Sequence, residues 1–219
     1  MKFENTKTFG FENAIIGLRL PMCKDFSEAQ QKTDLTTHGL QIGEKDLDLM
    51  QRLIKADKNA SGQPNSKFLR MIHVQVAITA PMYWWSEMDT YKVGTVSNST
   101  SKMHRLASNI IHLGSFELAD SYSDDEYDLK DFPFYEVWEE LIARLEELRN
   151  LYNETKDKIY WEELLRLLPV SYLQTRMFDC NYQTLRNIYH QRKNHKLSEW
   201  HEFCRWVEKL PYAKELICE

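Results

Sequence analysis

Glycine, proline and paired cysteines are scarce in this chain. Its 219 residues include 7 Gly and 6 Pro, which argues against a loop-rich β-sandwich and favours a helix-dominated fold. The four cysteines have no CxxC spacing, so they predict neither a disulfide framework nor a zinc site. We therefore expect a protein of the reducing cytoplasm.

An excess of positive charge and long hydrophobic runs are also missing. The chain has 28 Lys and Arg against 33 Asp and Glu, a formal net charge of −5, which argues against a general nucleic-acid-binding protein. No apolar run approaches the ~18 residues of a membrane-spanning helix, and the N-terminus lacks the apolar region of a secretory leader. The seven histidines have no supporting ligands at metal-binding spacing, so no metal site is predicted.

Hydrophobic periodicity predicts the main elements. Strands are predicted over Phe11–Pro21, from its β-branched and apolar residues, and over Met71–Pro81, from strict alternation. A long amphipathic helix is predicted over Phe134–Tyr152. Shorter helices are predicted over 25–31, from about 43 to 57, directly after Pro81, and over 103–113, 114–122 and 158–168. Without an internal repeat or a domain boundary, we predict one helix-rich α+β domain over residues 1–219 with a small mixed sheet.

The stretch Leu168–Trp200 is predicted to be one long helical element with a basic side. Leu185 and Ile188 share one face with Arg192, which lies seven residues after Leu185. An arginine that extends an apolar stripe must reach water or meet an anion, because a buried unpaired charge is costly. The sequence leaves two interpretations open here, a solvated basic face and a ligand-binding face.

The segment Val93–Lys102 is polar and is predicted to be a loop. Its hydroxyl and amide groups could donate hydrogen bonds to an anionic ligand, or the segment could be a plain connection.

Several of these patterns resemble the flavin-dependent thymidylate synthases over most of the chain. Met71–Pro81 and the aromatic residues that follow resemble the alternating strand, Ala-Pro step and Trp-containing helix start of that family. Further along, the spacing of six features resembles the family pattern without a gap from Leu168 to Arg192: Leu168-Pro169, Tyr172, Arg176, Asn181, His190-Gln191-Arg192 and, one residue late, Ser198-Glu199-Trp200.

One family motif is altered. The family carries RHRxxSxNExSxR, which binds flavin and nucleotide phosphate, whereas an alignment with an insertion of a few residues places Glu87-Met88-Asp89 at the RHR triplet. Carboxylates at those positions would repel phosphate, and arginines would have bound it. In the same alignment Ser97, Asn98 and Ser101 match the Ser, Asn and Ser of the motif, and Lys102 replaces its last arginine.

The resemblance implies a specific fold, assembly and chemistry. It implies a mixed α/β domain, a homotetramer with active sites shared between subunits, and methylation of a deoxypyrimidine nucleotide with FAD and a folate one-carbon donor. It assigns cofactor binding to Asn181, His190 and Arg192. It assigns nucleotide binding to Ser97, Asn98, Ser101, Lys102 and Arg176. No catalytic residue is assigned, because in this chemistry the flavin performs the difficult step.

Two functional hypotheses follow, and the sequence does not decide whether the protein is an enzyme. The first is a divergent flavin-dependent enzyme that methylates or hydroxymethylates a deoxypyrimidine nucleotide. The second is a non-catalytic nucleotide-binding or scaffold protein, a homo-oligomer that keeps the fold without the flavin chemistry. The expected ligand is in both cases a deoxynucleotide or another small anion.

Overall fold

The computed structural model describes residues 1–36, 41–57, 64–118 and 134–219. The helices in these ranges are α1 (Phe11–Arg19), α2 (Phe26–Lys32), α3 (Glu44–Ala56), α4 (Met82–Met88), α5 (Lys102–Arg105), α6 (Tyr135–Thr155), α7 (Lys158–Leu167), α8 (Tyr182–Arg192) and α9 (Ser198–Val207). The strands are β1 (Lys2–Phe9), β2 (Leu35–Thr36), β3 (Gln41–Ile42), β4 (His73–Pro81), β5 (Thr95–Ser99) and β6 (Leu173–Asn181). Short 3₁₀ turns cover Leu20–Met22, Lys67–Met71, Leu106–Ser108 and Leu113–Ser115, and a π-helical turn covers Lys214–Cys218.

The fold class is confirmed as helix-rich α+β with a small sheet. The sheet has four strands in the order β1-β4-β6-β5, and its strands are antiparallel where a mixed sheet was expected. Side-chain contacts show the direction of the central pair, because His73 meets Asp179 and Thr79 meets Thr175. Strands β2 and β3 form a separate antiparallel pair.

The described residues divide into two compact units, each interrupted in sequence. Unit 1 comprises Met1–Lys2, Thr79–Thr90 and Asn98–Arg176, and unit 2 comprises Phe3–Ile78, Tyr91–Ser97 and Met177–Glu219. The single domain over residues 1–219 therefore stays a prediction.

Unit 1 has its core between α6, α7 and the turns that precede α6. Its buried apolar side chains are Leu106, Ile111, Phe116, Leu145, Leu164 and Leu168. Helix α6 was predicted from its apolar stripe, and Leu145 from that stripe is fully buried. At one edge of this core, an i,i+3 ion pair joins Arg149 to Glu146, which also accepts a hydrogen bond from the Ile111 amide.

Unit 2 is built around α8, which packs against α9 and the π-helical turn, while α1 packs against the turn Lys67–Met71. Leu185 and Ile188 of α8 are completely buried, as their helical spacing predicts. Trp200 and Phe203 of α9 are buried as well. Unit 2 thus places a helix whose last residue is Arg192 in contact with an aromatic core.

Two predictions about elements are wrong. Phe11–Pro21 is α1 followed by a 3₁₀ turn, because its buried residues Phe11, Ala14 and Ile15 have helical i, i+3, i+4 spacing. Leu168–Trp200 is not one helix: Leu173–Asn181 forms the inner strand β6, where cross-strand pairing outweighs local pattern. The helices α8 and α9 then follow separately.

Other predictions hold in part. The strand Met71–Pro81 and the helices near 25, 43, 82, 135 and 158 are confirmed. The predicted loop Val93–Lys102 contains β5, and the helix predicted over 103–113 is limited to α5 and a 3₁₀ turn. Of the predicted helix 114–122, residues 119–122 lie outside the described residues, and the only helical structure in the described part is the 3₁₀ turn Leu113–Ser115. The acidic segment 123–131 also lies outside the described residues.

Candidate functional site

Arg192 lies at the end of α8 between two aromatic rings. Its guanidinium carbon is 4.6 Å from the centroid of the Trp200 ring and 5.4 Å from that of Tyr91. Its Nε also donates a hydrogen bond of 2.7 Å to the Tyr91 hydroxyl. Arg192 therefore extends the apolar stripe of α8 by packing its guanidinium against aromatic rings. Such cation–π contacts let an arginine keep its charge beside apolar side chains.

Asn181 caps the N-terminus of α8. Its Oδ1 accepts the Thr184 amide at 2.9 Å, and the side chain is 9% exposed. Gly94 lies directly against it: at φ 73°, a Cβ on Gly94 would lie 2.8 Å from both Asn181 Nδ2 and Thr184 Oγ1. Asn181 thus performs the capping role that its position before a helix favours.

His190 lies on another side of α8, beside a small polar cavity. This cavity of about 270 Å³ is lined by His190, Arg186, Asp57 and Ser66, among others. Burial, with Arg186 and Lys193 nearby, lowers the pKa of His190 below its ordinary value. Its Nε2 is buried and has no hydrogen-bond partner among the residues that the structure describes. The lowered pKa favours the neutral imidazole, and its Nε2, unpartnered among the described residues, is buried beside this cavity.

The three cofactor candidates do not share one surface within unit 2. His190 and Arg192 are two residues apart, about 200° around a helix, so they point to different sides. Asn181 belongs to the opposite end of α8 and is engaged in capping. Within the described part of one chain, these side chains do not form one binding set for a single flavin.

Arg176 of unit 1 has a different environment. Its guanidinium carbon lies 4.3 Å from the centroid of the Trp85 ring, and its Nη1 is 2.7 Å from Asp89 Oδ1. Its Nε donates to Gln174 Oε1 at 3.1 Å. The indole beneath it is fixed, because Trp85 is 1% exposed and its Nε1 donates to the Gln174 carbonyl at 2.9 Å. Asp89, in contrast, is 54% exposed.

Lys102 lies close enough to Arg176 for the two charges to interact. Burial, and secondly the charge of Arg176, lowers the pKa of Lys102 below its ordinary value. Its Nζ is 3.3 Å from the Met82 sulfur, and it forms no ion pair with any residue that the structure describes. Two cations near one exposed carboxylate leave local positive charge, which favours an anionic ligand.

The remaining nucleotide candidates are less enclosed. Ser97 and Asn98 are exposed neighbours on β5, so their side chains point to opposite faces of that strand. Ser101 is half-buried immediately before Lys102. The structure thus brings Lys102 near Arg176 in unit 1, and it leaves Ser97 and Asn98 facing solvent.

The sequence analysis did not identify the partners of Arg176 and Arg192. The partner of Arg192, which is Tyr91, could have been found from the spacing of the family motif. Counting the thirteen positions of RHRxxSxNExSxR back from Lys102 without an insertion places the RHR triplet on Thr90-Tyr91-Lys92. In that alignment the triplet contains a lysine and no carboxylate, and its middle residue, Tyr91, is the one that contacts Arg192. In the gap-free alignment Glu87 and Asp89 fall outside the motif, while Ser97, Asn98 and Thr100 take the places of its Asn, Glu and last Ser.

Two features are absent from residues 1–36, 41–57, 64–118 and 134–219. Among the described residues, no group of three His, Cys, Asp or Glu side chains is arranged to hold a metal ion. Nor does any helix in those ranges have the length and apolar character needed to cross a membrane.

Comparisons with known proteins find the fold through structure alone. No protein-family model and no curated protein matches the sequence. The chain is similar to the flavin-dependent thymidylate synthase ThyX from Helicobacter pylori complexed with FAD and dUMP, at 17% identity and a TM-score of 0.65, over 99% of this chain and 98% of that one. A second structure of that enzyme with FAD and dUMP gives 17% identity and a TM-score of 0.66, over 99% and 97%.

A methylase gives the same result. The UMP/dUMP methylase PolB from Streptomyces cacaoi, bound with 5-Br dUMP, matches with 13% identity and a TM-score of 0.62, over 99% of this chain and 94% of that one. The likeness spans almost the full length of all three structures. The chain therefore has the fold of the flavin-dependent thymidylate synthases.

Proposed function

We propose that this protein binds a deoxypyrimidine nucleotide as a divergent thymidylate synthase-like protein, with Lys102 and Arg176 binding its phosphate. The observation that carries the proposal is the pair of neighbouring cations in unit 1, one of them without an ion pair among the described residues. The fold similarity supports the ligand class, because ThyX is complexed with dUMP and PolB is bound with 5-Br dUMP.

The residues of unit 1 suit phosphate in a specific way. The guanidinium of Arg176 is held over Trp85 and donates to Gln174, so its position is fixed before a ligand arrives. Phosphate would replace the exposed carboxylate of Asp89 as the partner of Arg176, while Lys102 would contribute a point charge. The proposed contact requires the charged form of Lys102, whose pKa is lowered by burial. We therefore expect the affinity for the nucleotide to fall as rising pH deprotonates Lys102.

Titration calorimetry with dUMP tests this proposal. We expect Lys102→Ala to weaken binding about 10- to 100-fold, the loss of one charge-assisted contact. Lys158→Ala is the matched control, because it removes a cation of unit 1 whose side chain is 78% exposed, and it should bind dUMP normally. Deoxyuridine, which lacks the phosphate, should bind wild type and Lys102→Ala equally weakly. Equal dUMP affinity for Lys102→Ala and wild type would refute the proposal.

The finer proposal concerns chemistry on the bound nucleotide. We propose that the protein methylates or hydroxymethylates it with FAD and a folate one-carbon donor, supported by the likeness to a FAD-containing synthase and to a methylase. FAD, when bound, would supply the redox chemistry. Because Asn181, His190 and Arg192 do not form one set within a chain, this proposal also requires a homo-oligomer, a tetramer by resemblance, in which a second subunit completes the flavin site.

The alternative is a non-catalytic nucleotide-binding or scaffold protein. It is favoured by the internal engagement of Asn181 as a helix cap and of Arg192 between Tyr91 and Trp200. Flavin uptake separates the two. Protein that retains FAD near one per subunit after desalting supports the enzyme, whereas colourless protein that still binds dUMP supports the alternative.

A further inference from the structure

A second cavity lies in unit 2, formed by elements that the proposed function does not use. It encloses about 770 Å³ between the C-terminal end of α1, the 3₁₀ turn after it, α3, and the turn Lys67–Met71. This volume lies within the roughly 300–1,000 Å³ of small-molecule sites. The cavity is therefore large enough for a ligand of its own.

The walls of the cavity are mainly apolar. They are formed by Leu18, Pro21, Met22, Leu49, Leu53 and Phe68, with Met71 at one side. Met22 is 85% exposed and Met71 is 46% exposed, so apolar surface at this cavity remains in contact with water. Covering such surface is favourable, by roughly 25 cal/mol per Å².

The charged side chains that line the cavity are all basic, and the carboxylates that pair with three of them lie outside its lining. Arg19, Lys32, Arg52 and Lys67 line it, and no acidic residue is among its described lining residues, although the whole chain has a net charge of −5. Arg19 is committed to Asp46, which is completely buried. The other three cations remain available to a ligand.

Their availability follows from exposure. Lys32 pairs with Glu28, and Arg52 pairs with Asp48, each as an exposed i,i+4 pair of the kind that contributes little. Lys67 is exposed and has no ion pair among the residues that the structure describes. An incoming anion can therefore meet Lys67 directly and compete for Arg52 and Lys32.

We propose that this cavity binds a long-chain carboxylate, with the alkyl chain against the apolar walls and the carboxylate at Lys67, Arg52 and Lys32. A nucleotide suits the cavity poorly, because among its described lining side chains Asn65 is the only neutral amide or hydroxyl that could pair with a base or sugar. The lining of this cavity includes neither Lys102 nor Arg176. The proposal for the cavity can therefore be tested independently of the proposed function.

Gly17 provides a variant that fills the cavity without damaging the fold. It lines the cavity inside α1, and a Cβ there would have only ordinary contacts, the nearest with the Met71 sulfur at 3.5 Å. Replacing a helical glycine also favours the helix. Gly17→Leu should therefore fold at least as well as wild type while its side chain occupies ligand space, and Gly17→Ala is the matched control.

Calorimetry with octanoate, decanoate and dodecanoate on the full chain tests the proposal. We expect affinity to rise by up to about fourfold per added CH₂ and dodecanol to bind at least tenfold more weakly than dodecanoate. Gly17→Leu should reduce dodecanoate binding at least tenfold, Gly17→Ala should preserve it, and Lys67→Glu should weaken it. Binding of dUMP should be the same in all three variants.

The opposite results would overturn the proposal. Dodecanoate binding that Gly17→Leu leaves unchanged would place the ligand elsewhere. Equal affinities for dodecanol and dodecanoate would show that the cations do not contribute to binding. Absence of dodecanoate binding, together with a Met22→Lys variant of smaller oligomeric size, would show that a second copy of the chain covers this surface.

Discussion

Among the residues that the structure describes, two arginines lie over indole rings, one in each unit, and their other partners differ. Arg176 is 4.3 Å from the Trp85 centroid and Arg192 is 4.6 Å from the Trp200 centroid. Arg176 also pairs with a carboxylate that is 54% exposed and lies near Lys102. Arg192 instead contacts a second ring and a phenol hydroxyl, both from Tyr91.

From this comparison we expect the partner of an arginine, more than its charge, to decide whether the arginine can bind a ligand. A phosphate can replace an exposed carboxylate with a group of the same sign. Replacing aromatic contacts requires parts of a packed core to separate. We therefore expect substitutions around Arg192 to affect stability first and those around Arg176 to affect nucleotide binding first.

The largest effect is expected from Trp200→Ala. The Trp200 side chain is completely buried and packs edge-on against Phe203, so its removal should lower the free energy of unfolding by about 3–5 kcal/mol. Trp200→Phe retains a ring and should cost clearly less. Urea denaturation measures both, and a loss below about 1 kcal/mol for the alanine variant would show that the Arg192 surroundings are not part of the core.

The packing of α9 behind Arg192 can also be tested by pH. Burial is the main cause that raises the pKa of Cys204, one turn after Trp200, from 9.0 to about 11. Between pH 9 and 11 the unfolded thiol is ionised while the folded thiol stays protonated. The contribution of this thiol to the free energy of unfolding is therefore fully present below pH 9. It is lost as the pH rises through 11, which lowers the free energy of unfolding by about 2–3 kcal/mol.

Urea midpoints at pH 8 and pH 10.5 measure this loss. Cys204→Ala removes the titrating group, so its stability should fall less between the two pH values than that of wild type. Parallel pH dependences in the two proteins would mean that the Cys204 thiol is accessible to water.

Arg192→Ala should lower the free energy of unfolding by about 1–2 kcal/mol, because it removes two cation–π contacts and the hydrogen bond to Tyr91. Arg192→Lys should restore only part of this loss, since an ammonium group lacks the delocalised guanidinium and its Nε donor. Arg144→Ala, which removes an exposed arginine of α6, should stay within about 0.5 kcal/mol of wild type. A ligand role would instead appear as unchanged stability with weakened dUMP or FAD binding.

The smallest effect is expected from Asp89→Asn. If Arg176 binds phosphate as proposed, this change removes a competing carboxylate, so dUMP should bind about 3- to 10-fold more tightly, with little change in stability. Asp157→Asn, a change of equal charge at the N-cap of α7, controls for net charge on unit 1. Equal tightening by both variants would show a general charge effect with no specific role for Arg176.

Sequence patterns were sufficient where a single element carries its own signal. The alternation of Met71–Pro81 predicted β4, and the stripe in Phe134–Tyr152 predicted α6. The helical spacing of Leu185 and Ile188 identified the buried face of α8. In β4 and α8 the residues that local periodicity places on an apolar face are the ones that the folded protein buries.

Patterns failed where local preference and tertiary context disagree. Phe11–Pro21 is rich in strand-forming residues, yet the spacing of its buried positions is helical. Leu173–Asn181 continues an apolar and basic pattern into α8, yet it pairs with two other strands. Strand propensity depends on the neighbours that a segment meets, which the segment itself does not specify.

The sequence by itself determined the composition class, the amphipathic faces of the helices and, through motif spacing, the resemblance to one family. Only the tertiary structure decided which residues surround each candidate. Arg176 meets Asp89 across 87 residues, and Arg192 meets Tyr91 across 101. Such contacts depend on how distant strands pair and helices pack, and no local periodicity records that geometry.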